Sequence, residues 1–204
     1  AVCSRVGVGK NGHVNIATYA TDLGNLVAGR LGKAGGAMFP QPVADAAPIL
    51  KWTGDGHGRW HSRVRGLPET LGDVPASTLA EEIETPGDGQ VRALVTYAGN
   101  PVLSTPNGRR LAGALEKLDF MVAIDPYINE TTRHADVILP PATSLSEEVV
   151  DLLSSRYALR TIARYSPPAV PCPAGQRRDW EILLDLIYRL GGGPMGVRGL
   201  DAVY

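Results

Sequence analysis

Two clusters of polar and turn-forming residues are equipped to recognise a small polar ligand. The first is Gly99-Asn100-Pro101, with Ser104, Thr105 and Asn107 close behind. A glycine lets backbone N–H groups approach a ligand, and Asn and Ser side chains add hydrogen bonds suited to a phosphate or a ribose. A helix starting near Asn107 or Gly108 would aim its N-terminal end at the same place, and Arg109 and Arg110 add charge nearby. The same residues also make an ordinary strand-to-helix turn. The second cluster is Asp125 with Asn129, Thr131 and Thr132. A carboxylate there can accept hydrogen bonds from a ribose or from the N–H groups of a base, and guanine presents two adjacent donors on one edge. Asp125-Pro126 equally fits a cap on the following turn. Asn129, Thr131 and Thr132 either orient the carboxylate or contact the sugar.

Strands must present these clusters. Arg92–Ala98 and Phe120–Ile124 read as two buried strands, and Gly108 to Leu118 between them has helical spacing. Val137–Leu139 makes a third short strand that Pro140-Pro141 stops, after a short helix or turn over Asn129–His134. The expected class is α/β, with an open, mostly parallel sheet flanked by helices, in which ligands bind outside the carboxyl ends of the strands. Upstream, Ile16, Tyr19, Ala20, Leu23, Leu26, Val27 and Leu31 form one stripe of a helix over Asn15–Leu31, ended by Gly32 and Gly35-Gly36. Gln41 to Arg65 reads as a long loop with Trp52 and Trp60 as its large apolar anchors. Two short helices are expected around Pro68–Leu71 and Ala76–Ile83, then a turn over Thr85–Gly89. Glu147–Leu159 fits a helix while Tyr157–Arg164 alternates like a strand, and both readings stay open. Asp179–Leu190 is the clearest helix, with Trp180, Ile182, Leu183, Leu186, Ile187 and Leu190 on one face and Gly191-Gly192-Gly193 capping its end.

Composition narrows the function classes. The 204 residues carry 20 Lys and Arg against 21 Asp and Glu, so charge favours neither nucleic acid nor an anionic membrane as a partner. No apolar run approaches the ~18 residues of a membrane span, and the first residues lack the charged and apolar regions of a signal peptide. Cys3 and Cys172 form no C-x-x-C pair and do not require an oxidising compartment, which points to a reduced, cytoplasmic location. His13, His57, His61 and His134 lack zinc-site spacing, and no metal ligands are assigned. No Ser-His-Asp set, Walker loop, paired-carboxylate site or G-x-G-x-x-G turn is present, so no residue is assigned as catalytic. Asp136 reads as a structural cap before its strand; Glu81-Glu82 and Glu147-Glu148 read as solvated faces.

Three segments, Gly99-Asn-Pro-Val-Leu-Ser104, Leu118-Asp-Phe-Met-Val-Ala-Ile-Asp125 and Glu130-Thr-Thr-Arg-His-Ala-Asp-Val-Ile-Leu-Pro140, resemble the molybdopterin oxidoreductase family, which includes formate dehydrogenases, nitrate reductases and dimethyl sulfoxide reductase. Gly24 to Pro40 is similar to that family's Gly-rich segment, and Asp179-Trp180-Glu181 to its recurring Asp-Trp. The resemblance implies a longer chain that holds molybdenum or tungsten between two pterin guanine dinucleotides, in two related α/β domains. On it, this chain is a formate dehydrogenase-like fragment that binds the guanosine diphosphate end of molybdopterin guanine dinucleotide and has no catalytic residue of its own. Its fold is then a flavodoxin-like or Rossmann-like half of a molybdopterin-binding domain. Residues 1–40 would be the tail of the preceding α/β domain, 41–89 a loop with short connecting helices, 90–193 the nucleotide-end domain and 194–204 a linker. Carried over by position, Gly99, Asn100, Pro101 and Ser104 line phosphate and ribose, and Asp125 receives the guanine edge with Asn129 and Thr131 close by. The family's iron–sulfur cysteines and its metal ligand lie upstream; Cys3 does not match that ligand. The implied partners are the remainder of the polypeptide, the pterin cofactor and an electron-transfer partner that the resemblance does not specify. A non-catalytic structural or interaction subunit derived from the same fold is the alternative. Glu147 to Tyr165 departs from the commoner family pattern, so no substrate is named.

Overall fold

The computed structural model describes residues 1–4, 7–10, 12–38, 41–43, 56–70, 72–151, 158 and 160–190. In chain order the elements are α1 (Val14–Val27), β1 (His57–His61), β2 (Pro68–Thr70), α2 (Leu79–Glu84), β3 (Ala93–Tyr97), α3 (Pro101–Ser104), α4 (Gly108–Leu115), β4 (Phe120–Ile124), β5 (Val137–Ile138), β6 (Val149–Val150), β7 (Tyr165–Ser166) and α5 (Asp179–Arg189). They fall into two compact units, Ala1–Pro48 with Val149–Ser166, and Ile49–Glu148 with Pro167–Tyr204.

In the first unit, α1 ends where Gly29 enters the left-handed region (φ 64°) and Arg30 N–H donates to Asn25 O (2.8 Å). A glycine at this point closes a helix because it has no Cβ to clash. The periodicity marks the helix correctly, but Ile16, Tyr19, Leu23, Leu26 and Val27 are exposed rather than packed. The buried residue of α1 is instead Asn25, whose amide clasps Val2, accepting from its N–H (2.8 Å) and donating to its carbonyl (2.7 Å). β6 pairs with β7 antiparallel, so a strand and not a helix occupies Val149–Val150. Of the rest of the ambiguous stretch, 152–157 and 159 lie outside the described residues, and 160–164 are neither helix nor strand.

In the second unit the sheet is three-stranded and parallel, in the order β3-β4-β5. The register runs from Ala93 opposite Phe120 to Tyr97 opposite Ile124, and Val122 and Ala123 of β4 pair onward with Val137 and Ile138. β4 is central, and Met121 to Ile124 are buried. β3 is not the buried strand expected: as an edge strand it alternates, with Val95 and Tyr97 exposed. Leu111, Ala114 and Leu115, at i, i+3 and i+4 of α4, pack with Ala80 and Ile83 of α2 on Met121, and Leu94 joins them. That cluster anchors the sheet, and the crossover through α4 is what makes β3 and β4 parallel.

Three expectations are overturned here. Pro68–Thr70 is a strand, not a helix, because it pairs antiparallel with β1. β1 itself interrupts the stretch read as a loop from Gln41 to Arg65; Trp52 and residues 44–55 lie outside the described residues. Glu81 and Glu82 are not solvated: both are buried, with Arg65 bonded to Glu81 (2.6 Å), Arg63 paired with Glu82 (3.3 Å) and the Val64 N–H donating to Glu82 (2.9 Å). Their partners come from the turn after β1, far along the chain, so the local pattern of two adjacent acids gave no sign of them. Glu69 is likewise buried, held by the Arg59 side chain and N–H (both 3.1 Å) and by Gly72 N–H (2.6 Å). Removing one partner of such a pair leaves a buried charge without compensation. The glycine cap expected at 191–193 lies outside the described residues.

Two glycines of α4 make opposite predictions. A Cβ on Gly108 would overlap the Val102 carbonyl, whereas nothing lies within 4 Å of one on Gly113. Denaturant unfolding of the full-length protein should show Gly108→Ala destabilised by about 1–3 kcal/mol. Gly113→Ala, in a helix interior, should be stabilised by about 0.5–1 kcal/mol.

Candidate functional site

The carboxyl ends of β3 and β4 lie side by side, as a parallel pair requires. The Ala98 N–H donates to Ile124 O (3.0 Å), carrying the ladder one residue beyond β3. Ala98 then turns in the left-handed region (φ 49°), uncommon for a residue with a Cβ. Gly99 is not left-handed, and a Cβ on it would meet only Tyr97 O at 3.6 Å and Pro101 Cδ at 4.0 Å. The backbone therefore does not demand glycine at 99, where a Cβ would make ordinary van der Waals contacts with the turn. Pro101 opens α3, where its fixed φ and missing N–H suit the first helical position.

The loops after β3 and β4 are joined through side chains. Thr131 donates from Oγ1 to Asn100 Oδ1 (2.7 Å) and accepts from Val102 N–H (3.0 Å) on the same oxygen. The Asn100 Nδ2 donates to Glu130 Oε2 (2.6 Å). The Asn129 Oδ1 accepts from the N–H groups of Thr131 (2.9 Å) and Thr132 (3.0 Å), and Thr132 Oγ1 accepts from Asn129 N–H (2.8 Å) and donates to Tyr127 O (2.9 Å). Both threonines are fully buried, so their hydroxyls satisfy backbone groups that water cannot reach.

Asp125 ends β4 and is 8% exposed. Its Oδ1 accepts from Tyr127 N–H (2.8 Å), closing a turn over Pro126, and its Oδ2 accepts from Asn129 Nδ2 (3.3 Å). The capping role is thus present. Among the described residues no cation forms an ion pair with it. A carboxylate offers about four acceptor directions, and these bonds use two.

Of the residues singled out by sequence, Asn100, Asp125, Asn129 and Thr131 meet in one hydrogen-bonded network, with Gly99 and Pro101 shaping its edge. Ser104 does not face it: its hydroxyl returns to Asn100 O (3.0 Å), and Thr105 does the same to Pro101 O (2.7 Å). Arg110 is also directed elsewhere, paired with Glu84 of α2 at 2.8 Å. Asp136 caps as expected, accepting from Met121 N–H (2.7 Å). Glu130 is the residue that sequence reasoning passed over. The Asn100 amide, with Glu130's own N–H and the Arg133 charge, holds its carboxyl below the usual range. Its place between Asn129 and Thr131 was the available signal.

Next to this edge, Tyr97 donates from its hydroxyl to Asp179 at the start of α5, and that bond, with burial and the negative charges of Asp179 and Glu147, pushes the phenol up to about 12. Glu147 is half-buried rather than solvated; burial raises its carboxyl, as does the Asp179 charge. A separate cleft of about 390 Å³ lies where β5 gives way to Leu139 and Pro140, with Ile182 and Leu186 of α5 opposite. Its charges are already matched, since Asp185 bridges Arg177 and Arg189 (3.0 Å each). No group of three His, Cys, Asp or Glu among the described residues is placed to hold a metal ion, and no described helix is long and apolar enough to cross a membrane.

Comparison with known proteins gives a match to the family model "Molybdopterin oxidoreductase" over residues 1–189. The chain is similar to the assimilatory nitrate reductase catalytic subunit of Bacillus subtilis, 39% identical over 164 residues, covering 79% of this chain and 22% of that protein. It is 33% identical over 142 residues to a nitrate reductase of Symbiobacterium thermophilum, covering 69% and 18%. With the F420-dependent formate dehydrogenase subunit alpha of Methanocaldococcus jannaschii it shares 31% over 116 residues, covering 57% and 16%. The chain thus spans about a fifth of the length of these curated relatives.

Two measurements test this geometry. Thr131→Val removes the hydroxyl that serves Val102 N–H and Asn100, and should cost about 1–3 kcal/mol in denaturant unfolding of the full-length protein, while Thr131→Ser recovers most of it. Ultraviolet titration should find one tyrosine ionising near pH 12, and in Asp179→Asn that transition should move down toward the ordinary value of 10. The raised value means that the Tyr97 contribution to stability is complete below pH 10 and is lost as pH rises through about 12.

Proposed function

The chain belongs to the molybdopterin oxidoreductase family, and on that premise we propose that the crevice beyond β3 and β4 holds the guanosine diphosphate end of molybdopterin guanine dinucleotide. Membership implies a molybdopterin cofactor with molybdenum or tungsten; the guanine dinucleotide form is the part inferred from the crevice. The carrying observation is Asp125, a nearly buried carboxylate at the end of the central strand, free of any ion pair among the described residues and bonded there only by neutral donors, Tyr127 N–H and Asn129 Nδ2. Guanine's ring N–H and exocyclic amine are adjacent donors that a carboxylate accepts together.

When bound, the cofactor supplies the oxo-transfer or electron-transfer chemistry at its metal. The residues of this chain bind and orient its far end. Asp125 receives the base edge, Asn129 steadies that carboxylate, and Thr131 locks Asn100 and the turn Gly99–Pro101 against the neighbouring loop. Ser104 takes no part while its hydroxyl stays bonded to Asn100 O. Residues 90–193 form the nucleotide-end domain, 1–40 the tail of the preceding one, 41–89 the connection and 194–204 a linker onward. The chain alone has no catalytic residue and turns nothing over; the complete protein is an oxidoreductase of the formate dehydrogenase or nitrate reductase kind. An iron–sulfur cluster, where the complete protein has one, is held outside this chain, and the remaining polypeptide and an electron-transfer partner complete the machinery.

A second reading, a non-catalytic structural subunit, draws support from one observation: the bond from Tyr127 N–H to Asp125 gives the carboxylate a structural reason to be present. Asp125→Asn separates the two. The substitution keeps one oxygen for Tyr127 but turns the other acceptor into a donor, facing guanine's donors. Full-length protein purified with its cofactor should lose at least about tenfold in guanine nucleotide released by acid, at little cost in melting temperature. If the wild-type protein carries neither metal nor pterin, the structural-subunit reading stands instead.

A further inference from the structure

Asn107 and Gly108 stand together because the fold asks for both. Asn107 lies in the left-handed region (φ 59°), which among residues with a Cβ asparagine and aspartate tolerate best. Gly108 has to lack a side chain, since a Cβ there would overlap the Val102 carbonyl. The same pair is chemically reactive. An asparagine amide carbon is open to attack by the backbone nitrogen of the next residue, and glycine has no side chain to obstruct it. The other described asparagines are shielded. Asn25 has its amide bonded to Val2 and Thr21. Asn129 uses both ends of its amide, on Thr131, Thr132 and Asp125. Asn100 is bonded to Thr131 and Glu130, and Pro101 after it has no N–H to lose. Asn15 precedes the β-branched Ile16. The Asn107 side chain, by contrast, is exposed and bonds to no backbone N–H of the helix it precedes. Gly108 N–H, at the first position of α4, has no intrahelical acceptor.

We propose that Asn107 is a site of spontaneous covalent modification, and that its isoaspartyl product loosens α4. Gly108 N bonds to Asn107 Cγ, the amide nitrogen leaves as ammonia with the proton from Gly108 N, and a cyclic succinimide results. Water then opens the ring. Breaking the new bond from Gly108 N to Cγ gives aspartate, and breaking the original peptide bond gives isoaspartate. The gate is the first turn of α4. Attack requires the peptide between 107 and 108 to rotate from its ψ of 48°, an angle held by Asn107 O, which accepts from Arg110 N–H (3.0 Å) and Leu111 N–H (3.2 Å). Two bonds at an exposed helix end open far more readily than a core. Aspartate keeps the backbone and puts a negative charge at a helix N-terminus, which favours it. Isoaspartate lengthens the main chain at the residue whose carbonyl starts α4 and turns that carbonyl into a free carboxylate. Both bonds are displaced, and the buried Leu111 loses its anchor.

The test ages the native full-length protein at mildly alkaline pH and maps the tryptic peptide Ala93–Arg109, which carries Asn100 as an internal control. Fragment masses should place the amide-to-acid gain on Asn107 and leave Asn100 unchanged. Asn107→Gly, which keeps the left-handed turn, should fold normally and show no gain in this peptide. Peptic peptides spanning 107–111 separate by chromatography into asparaginyl, aspartyl and isoaspartyl forms, so hydrogen exchange of the aged protein is read on each. The isoaspartyl form should exchange at least about tenfold faster than the asparaginyl form, and the aspartyl form and Asn107→Asp should match the asparaginyl one. Conversion of Asn107 only after unfolding in urea overturns the site, as does earlier conversion of Asn15, Asn25, Asn100 or Asn129 in the native protein. Isoaspartate at position 107 with unchanged exchange over 107–111 overturns the loosening of α4.

Discussion

The parallel pairing of β3 with β4 is the constraint from which the meeting of the two loops follows. Two parallel neighbours must both leave the sheet at the same edge, so the chain after Tyr97 and the chain after Ile124 emerge together. The bond from Ala98 N–H to Ile124 O tightens that edge by one more residue and brings the left-handed turn at Ala98 directly beside Asp125's strand end. Antiparallel strands would have sent these two loops to opposite ends, and residues 100 and 131 could not have met. The packing of α4 on Met121 and Leu94 is what enforces the parallel crossover, with Gly108 allowing the helix to start hard against Val102.

The polar groups of the unit divide into two kinds. Away from the strand ends, four glutamates are paired with arginines: Glu69 with Arg59, Glu81 with Arg65, Glu82 with Arg63 and Glu84 with Arg110. Both Glu69 and Glu84 are held below the usual carboxylate range: at Glu69 burial raises the carboxyl but the bonds from Arg59 and Gly72 N–H outweigh it, and at Glu84 Arg110, with Lys117, lowers it. At the strand ends, by contrast, Asp125 and Glu130 are met by amides and backbone N–H groups, which fix a carboxylate in place without cancelling its charge. The two buried threonines make this arrangement rigid, since each hydroxyl both gives and receives.

Local signals in the chain were reliable where the partner of a residue lies close in sequence or where a period marks one face. The helices over Val14–Val27 and Asp179–Arg189, the strand Phe120–Ile124 and the turn residues around Asn100 and Asp125 all follow from spacing and turn chemistry. Errors arose where a distant segment decided. Pro68–Thr70 looked helical until β1 paired with it, and Glu81-Glu82 looked solvated until the arginines after β1 covered them. The α1 stripe predicted a helix correctly and a buried face incorrectly, because periodicity reports amphipathicity and not what covers it.

By itself the sequence determined the strand and helix types of β3, α4, β4 and β5, the identity of the family, and four of the polar residues that meet at the sheet edge. Those depend on residue chemistry and spacing along a single chain. Tertiary structure alone decided which side chains face one another: that Ser104 and Arg110 point elsewhere, that Asp125 is held by its own turn, and that Glu130 stands on Asn100. Hydrogen bonds are short and directional, so the partner of a group is set by where folding brings two distant backbones, a quantity no local pattern encodes.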